Sequence, residues 1–255
     1  MARRWLTGWR IILAVVALVV GTGKALVDIG VLNSKPGYGS LVIIGGGIVV
    51  FVDAIGRIII ANHQHKSSTM QADLDKAVQS TLKTVSEATG LDVWSLGGSV
   101  FVPRKAGLAR RTLILDRVAR VRLSDSPQAT AVKWTPGKGV VGQVWEERRA
   151  KYQSWRKIAE RYTADQLTPE SFDRIREETR SGFTFAEFRG IVEKYAEIRA
   201  VPIWDTAQKT VIGVFSIDVS MTDKHPSLGN CLASQQAKET AERGAAVLSN
   251  VLRKR

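Results

Sequence analysis

Hydrophobic and polar positions divide this chain into two unlike parts. From Ile11 to Leu32 the residues are apolar apart from Lys24, Asp28 and small side chains, and residues 41–61 form a second apolar run. Each is close to the roughly 20 residues that a helix needs to cross the hydrocarbon core of a bilayer. Between them, NSKPGYGS (33–40) is punctuated by Asn, Ser, Pro and Gly and reads as a turn. The pattern predicts two transmembrane helices, about 11–32 and 41–61, within a hairpin over 1–66. A signal peptide also sets basic residues ahead of an apolar run. Here, however, no convincing A-x-A site follows, and a second run comes at once. Arg3, Arg4 and Arg10 precede the first run, Arg57 and Lys66 flank the far end, and the turn holds only Lys35. This bias makes the chain a multi-pass protein of the cell membrane, with both termini in the cytoplasm.

After residue 66 the periods are those of a globular domain. Met70, Leu74, Val78, Leu82 and Val85 recur at helical spacing, so 67–90 is expected to be a linking helix stopped by Gly90. Residues 93–102 and 112–123 read as strands around the basic turn PRKAGLARR. In the second, Val118, Val121 and Leu123 alternate with Arg117, Arg120 and Arg122 with one slip, and those charges read as a solvated strand face. QVWEERRAKYQSWRKIAERY reads as helical, and Thr168 before Pro169 and Glu170 as a helix start. FTFAEFRGIVEKYAEI reads as a further helix, and 199–219 as a strand hairpin. The end is amphipathic, with Ala241, Ala245, Leu248 and Leu252 as its stripe. Antiparallel strands with helices at both ends imply an α+β fold rather than a doubly wound one.

Charge adds partners to the picture. Of the net +13, residues 1–66 carry +5 (seven Lys/Arg, two Asp), and the rest carry +8 (thirty against twenty-two). Beside apolar segments such a balance favours the anionic face of a lipid bilayer. It also attracts acidic ligands, whereas no motif for specific nucleic-acid binding is present. Lys24 and Asp53 lie inside the two apolar runs, at depths differing by about 6 Å at ~1.5 Å per residue. They form either a structural ion pair or a polar seam that opens a pore on oligomerisation. The single cysteine, Cys231, excludes an intramolecular disulfide, and no Cys/His cluster has metal-ligand spacing. No cofactor or metal is expected.

WTPGKGVVGQVW (134–145) spells G-x-G-x-x-G through Gly137, Gly139 and Gly142. A dinucleotide loop needs an acid about 20 residues on, at the end of a second parallel strand. The residue at that distance from Gly142 is Tyr162, in a charged helical stretch, and no Gly-Lys-Ser/Thr closes a Walker loop. The glycines are therefore expected to let a strand turn tightly into a helix. Together with the late hairpin RAVPIWDTAQKTVIGVFSIDV, this segment resembles a GAF domain over roughly residues 70–255, with the domain proper at 91–255.

The resemblance implies an antiparallel GAF-like domain flanked by helices, a homodimer or higher oligomer, and a small-ligand pocket between sheet and middle segment. Trp134, Lys138, Phe183, Phe185, Arg189 and Trp204 are the candidate ligand-binding residues, and a small anion such as a nucleotide is the candidate ligand. The members that reduce free methionine sulfoxide need several cysteines, and no catalytic constellation is visible, so no enzyme is expected. The implied function is that of a membrane-anchored cytosolic sensor relaying ligand binding to the membrane helices. The alternatives are a ligand-triggered, membrane-perturbing effector, nucleotide-activated and defence-related for example, and a dimerising scaffold without ligand.

Overall fold

In a computed structural model, residues 68–106, 112–221 and 230–253 are described. The apolar hairpin with Lys24 and Asp53, and the three histidines, lie outside them. The chain divides into two units, Met1–Ser68 and Thr69–Arg255, and the sheet lies in the second. Among the described residues no helix is long and apolar enough to cross a membrane.

Helix α1 spans 68–89, and Gly90 ends it at φ +71°, where a side chain would be strained. A 3-10 turn over Val93–Ser95, capped by the Asp92 side chain, leads into β1 (Leu96–Ala106), which pairs with β2 (Thr112–Arg122). Helix α2 is Gly139–Glu147, and strand β3 is Lys151–Ser154. Four short helices follow: α3 (Arg156–Arg161), α4 (Pro169–Asp173), α5 (Glu177–Arg180) and α6 (Phe185–Arg189). The hairpin of β4 (Tyr195–Trp204) and β5 (Val211–Ser220) completes a five-stranded antiparallel sheet in the order β2-β1-β5-β4-β3. A 3-10 turn (Cys231–Ala233) and helix α7 (Gln235–Leu252) close the chain. The α+β expectation holds.

The two faces of the sheet are filled differently. On one, the α1 stripe Leu74, Val78, Leu82 and Val85 and the α7 stripe Ala241, Ala245, Leu248 and Leu252 pack with Leu96, Val100, Phe215 and Ile217. Each Leu, Val, Ile or Phe side chain removed from water here contributes roughly 1.5–3 kcal/mol, which makes this face a stabilising core. The turn before α7 is tied down by two buried charges of β4. Leu232 donates its N–H to Glu197 Oε2 at 2.9 Å, and its carbonyl accepts from Arg199 Nε. On the opposite face α2 packs through Val140, Val141 and Val144 against Phe101, Leu115 and Val214. The short helices add a second, largely aromatic cluster on that side.

Three local expectations are corrected. The segment 143–162 is not one helix: it breaks at Arg148, in the left-handed region at φ 56°, and β3 intervenes before α3. FTFAEFRGIVEKYAEI supplies only the five-residue α6 and then the start of β4. In the first place pairing with the edge of β4, and in the second the pairing of β4 itself with β5, outweighs a weak helical period. Residues 129–134 form no strand. They run beside β2, held by Leu115 N–H donating to the Trp134 carbonyl at 3.0 Å, so the glycine turn enters its helix from a loop. The slip in the Arg/Val alternation is real, being the register shift opposite Val100 and Phe101.

The glycines are architectural. Gly137 and Gly139 adopt φ +77° and +59°. A Cβ on Gly139 would lie 2.6 Å from the Phe183 ring, and one on Gly142 would collide with the Thr135 carbonyl oxygen. The Gly139 N–H, at the start of α2, already donates to the Ser181 carbonyl at 2.7 Å. Gly142→Ala is expected to destabilise the domain by about 1–3 kcal/mol, read by chemical denaturation; an unchanged midpoint would mean that the turn relaxes around the methyl.

Candidate functional site

Alternation along the strands sets a polar strip into the face covered by α2 and the short helices. Arg122 on β2 is opposite Gly97 on β1, which is opposite Asp218 on β5. A Cβ on Gly97 would collide with the Arg122 guanidinium, so the glycine is what lets the arginine lie across β1. There Arg122 Nη2 donates to Asp218 Oδ1, with the two side chains 2% and 13% exposed, and Nη1 donates to the Ser95 carbonyl at 3.1 Å. Burial, then repulsion from Arg120, lowers the Arg122 pKa to about 10, which still leaves it charged at neutral pH. In the next row Arg120 is opposite Ser99, and Ser99 is opposite Ser216; both serines are buried. Arg117 lies over the Phe101 ring at 5.4 Å and donates to Thr130 Oγ1 at 3.2 Å.

An aromatic layer stands against this face. Ring centroids are 5.6 Å apart for Phe101–Trp134, 5.9 Å for Trp134–Phe183, 6.2 Å for Trp155–Phe183 and 5.7 Å for Trp155–Phe188. Trp134 and Ile198 touch both this layer and the α2 cluster. Local sequence sets the short helices in place. Thr168 with Ser171 and Thr184 with Glu187 form reciprocal capping boxes at the starts of α4 and α6. Glu187 also accepts two hydrogen bonds from Lys138 Nζ, at 3.0 and 2.9 Å, which pins the glycine turn to α6.

Of the six candidate residues, the fold brings four to this layer. Trp134 and Phe183 are in contact, Phe185 meets Phe172 edge-on at 5.8 Å, and Lys138 is committed to Glu187. Arg189 is exposed and donates to the Ala164 carbonyl at 3.0 Å. Trp204 lies apart, at the end of β4, lining a cleft of about 430 Å³ with Pro202, Ala245 and Ser249. The pattern reading missed Arg122, Asp218, Ser99, Ser216 and Trp155. The arginines of β2, expected on a solvated strand face, include Arg122, whose side chain is buried, while Leu123 is 42% exposed. The readable signal was Gly97 and Gly98 in one strand with Asp218 in another, since a glycine within a strand marks a close approach.

No family model matches this chain, and no curated protein matches it. Solved structures similar to it include the GAF domain region of a Geobacter sulfurreducens PCA protein, 12% identical with a TM-score of 0.46, covering 75% of this chain and 98% of that one. Type II free methionine-R-sulfoxide reductase from Thermoplasma acidophilum is 12% identical with a TM-score of 0.43, covering 74% and 94%. The GAF domain from Acinetobacter phosphoenolpyruvate-protein phosphotransferase is 14% identical with a TM-score of 0.37, covering 74% and 92%. With identities of 12–14% and TM-scores below 0.5, the likeness assigns this chain no family and no role. The exclusion of catalysis is nevertheless corrected. Free methionine-R-sulfoxide reductases stand among the neighbours, so the absence of a familiar catalytic pattern does not set enzymes aside.

The Lys138–Glu187 pair has a signature in pH. Burial alone would raise the Glu187 pKa, but the Thr184 amide and Lys138 outweigh it and hold it below the ordinary carboxylate value of 4.5. A depressed pKa contributes stability that is present above the unfolded value and lost as pH falls through the folded one. Glu187→Gln is therefore expected to lower the thermal midpoint at pH 7 and to match the parent at the acid end. A constant gap at every pH would assign the loss to packing instead.

Proposed function

We propose that residues 69–255 are a GAF-type sensor domain that holds a small ligand between the sheet and the aromatic layer. In this reading the occupied and empty forms are relayed through α1 to residues 1–66 in the cell membrane. The observation that carries the proposal is the buried polar strip of Arg122, Asp218, Ser99 and Ser216 on the sheet face covered by α2 and the short helices. Burying an ion pair stabilises a fold little or not at all compared with apolar packing, because desolvation offsets the attraction. A face built this way is suited to recognition. The resemblance of its sequence motifs to those of GAF domains supports the same reading. A relay through α1 is economical, because that helix follows residues 1–66 directly in the chain and packs its whole apolar stripe on the back of the same sheet.

Full-length protein titrated with a panel of nucleotides and small carboxylates tests the binding. At a hundredfold excess over Kd, a ligand adds about 2.7 kcal/mol, a rise of roughly 5–10 °C for a domain of this size. Ser216→Ala, which removes a hydroxyl from the floor, is expected to remove most of that rise while moving the unliganded midpoint little. No response to any panel member would end the sensor reading. Recording membrane potential in cells with and without the active ligand separates a relay from a membrane-perturbing effector; an unchanged potential in every condition removes the effector.

A further inference from the structure

Seven buried side-chain polar atoms among the described residues have no hydrogen-bond partner, and five of them can only donate: Arg117 Nε, Trp134 Nε1, Trp155 Nε1, Arg156 Nε and Arg180 Nε. A buried donor left unmade costs about 1–3 kcal/mol, so such atoms are normally few and scattered. Three of these belong to one wall of touching groups, running from Arg117 over Phe101 to Trp134, Phe183 and Trp155. Two of them, on Arg117 and Trp134, belong to residues lining one groove of about 290 Å³ between β2 and the 130–134 segment.

The charges around that groove have the same sign as the donors. Arg117 and Arg122 each lie within electrostatic reach of Arg120, and the Asp218 carboxylate is taken by Arg122. Among the described residues, Arg117 and Arg120 are bonded to neutral acceptors, the Thr130 hydroxyl and the Pro127 carbonyl. Lys133 also lines the groove, and its one acid, Asp116, is paired with Arg104 at 3.0 Å. Burial, with repulsion from Arg120, holds the Arg117 pKa below its ordinary value, although the Tyr195 phenol opposes this. The site therefore offers N–H donors and uncompensated positive charge. The partner that satisfies both is an acceptor-only anion, and a guanidinium takes an oxyanion in the forked geometry that Lys cannot reproduce.

We propose that the ligand of this domain carries an oxyanion, and that this group sits in the β2 groove on Arg117 with the Trp134 indole N–H as second donor. The proposal rests on the ligand-sensing reading and names the chemistry of its ligand. Inorganic phosphate and a phosphate ester share that chemistry, so both serve as probes.

Full-length protein is titrated calorimetrically with inorganic phosphate, with adenosine 5′-monophosphate and, as a neutral control, with adenosine, tryptophan fluorescence being followed in parallel. Both anions, or the ester alone, are expected to bind, adenosine is not, and affinity is expected to fall as salt rises. Tighter binding of the ester identifies it as the nearer mimic; equal binding identifies the free oxyanion. Trp134→Phe keeps the ring against Phe101 and Phe183 but removes the N–H, and Arg117→Lys keeps the charge but removes the fork. Each is expected to weaken anion binding roughly tenfold or more. Should Arg117→Lys fail to fold, Trp134→Phe decides alone. Unchanged anion affinity in the variants that fold overturns the proposal. If adenosine binds and neither anion does, the proposal falls while the sensor reading stands; if nothing binds, both fall.

Discussion

Arg122 cannot be buried alone. A guanidinium with 2% of its side chain exposed needs a counter-charge, and the one it has, Asp218, stands two strands away across β1. The bridge exists because residue 97 is glycine and leaves the crossing open. Removing one partner of such a pair typically costs 3–5 kcal/mol, so β2, β1 and β5 are held in one register. The same pair commits this region of the sheet face to polar chemistry. Ser99 and Ser216 in the next row follow that commitment, and the pair needs a cover that excludes water.

That cover comes from a segment with little regular structure. Helices α3 to α6 are four to six residues long, too short to be stable by propensity. They persist through capping boxes, the Lys138–Glu187 pair and tilted or edge-on aromatic contacts. The other side of the sheet is built from two long helices with regular aliphatic stripes. The face under α1 and α7 is thus mainly aliphatic, with Glu197 and Arg199 buried on β4, and the face under α2 and the short helices carries the Arg122–Asp218 pair and the aromatic layer. A ligand on the polar face would then act on the layer with the least intrinsic order, while α1 and α7 keep the sheet intact.

The glycine motif shows where local pattern reading succeeds. Gly137, Gly139 and Gly142 mark a turn into a helix, because positive φ and close backbone approach are properties of the residue itself. The stripes of α1 and α7 were equally legible, since a repeat of three to four residues specifies a buried helical face wherever the helix docks. The middle segment was not legible. KYQS becomes a strand only because β4 offers an edge, and FTFAEFRGIVEKYAEI stops being a helix where β4 claims its end.

By itself, then, the sequence determined an α+β domain with a helix at each end, a late hairpin and a structural glycine turn, together with the apolar hairpin of residues 1–66 as an expectation. The tertiary structure alone decided which charges are buried. Whether an arginine in an alternating strand faces water or a glycine on the neighbouring strand depends on register, and register joins residues such as Arg122 and Asp218, ninety-six positions apart. No local pattern carries that information. It arises when the two hairpins pair, and only then do Arg117, Arg122, Trp134 and Trp155 come to one face.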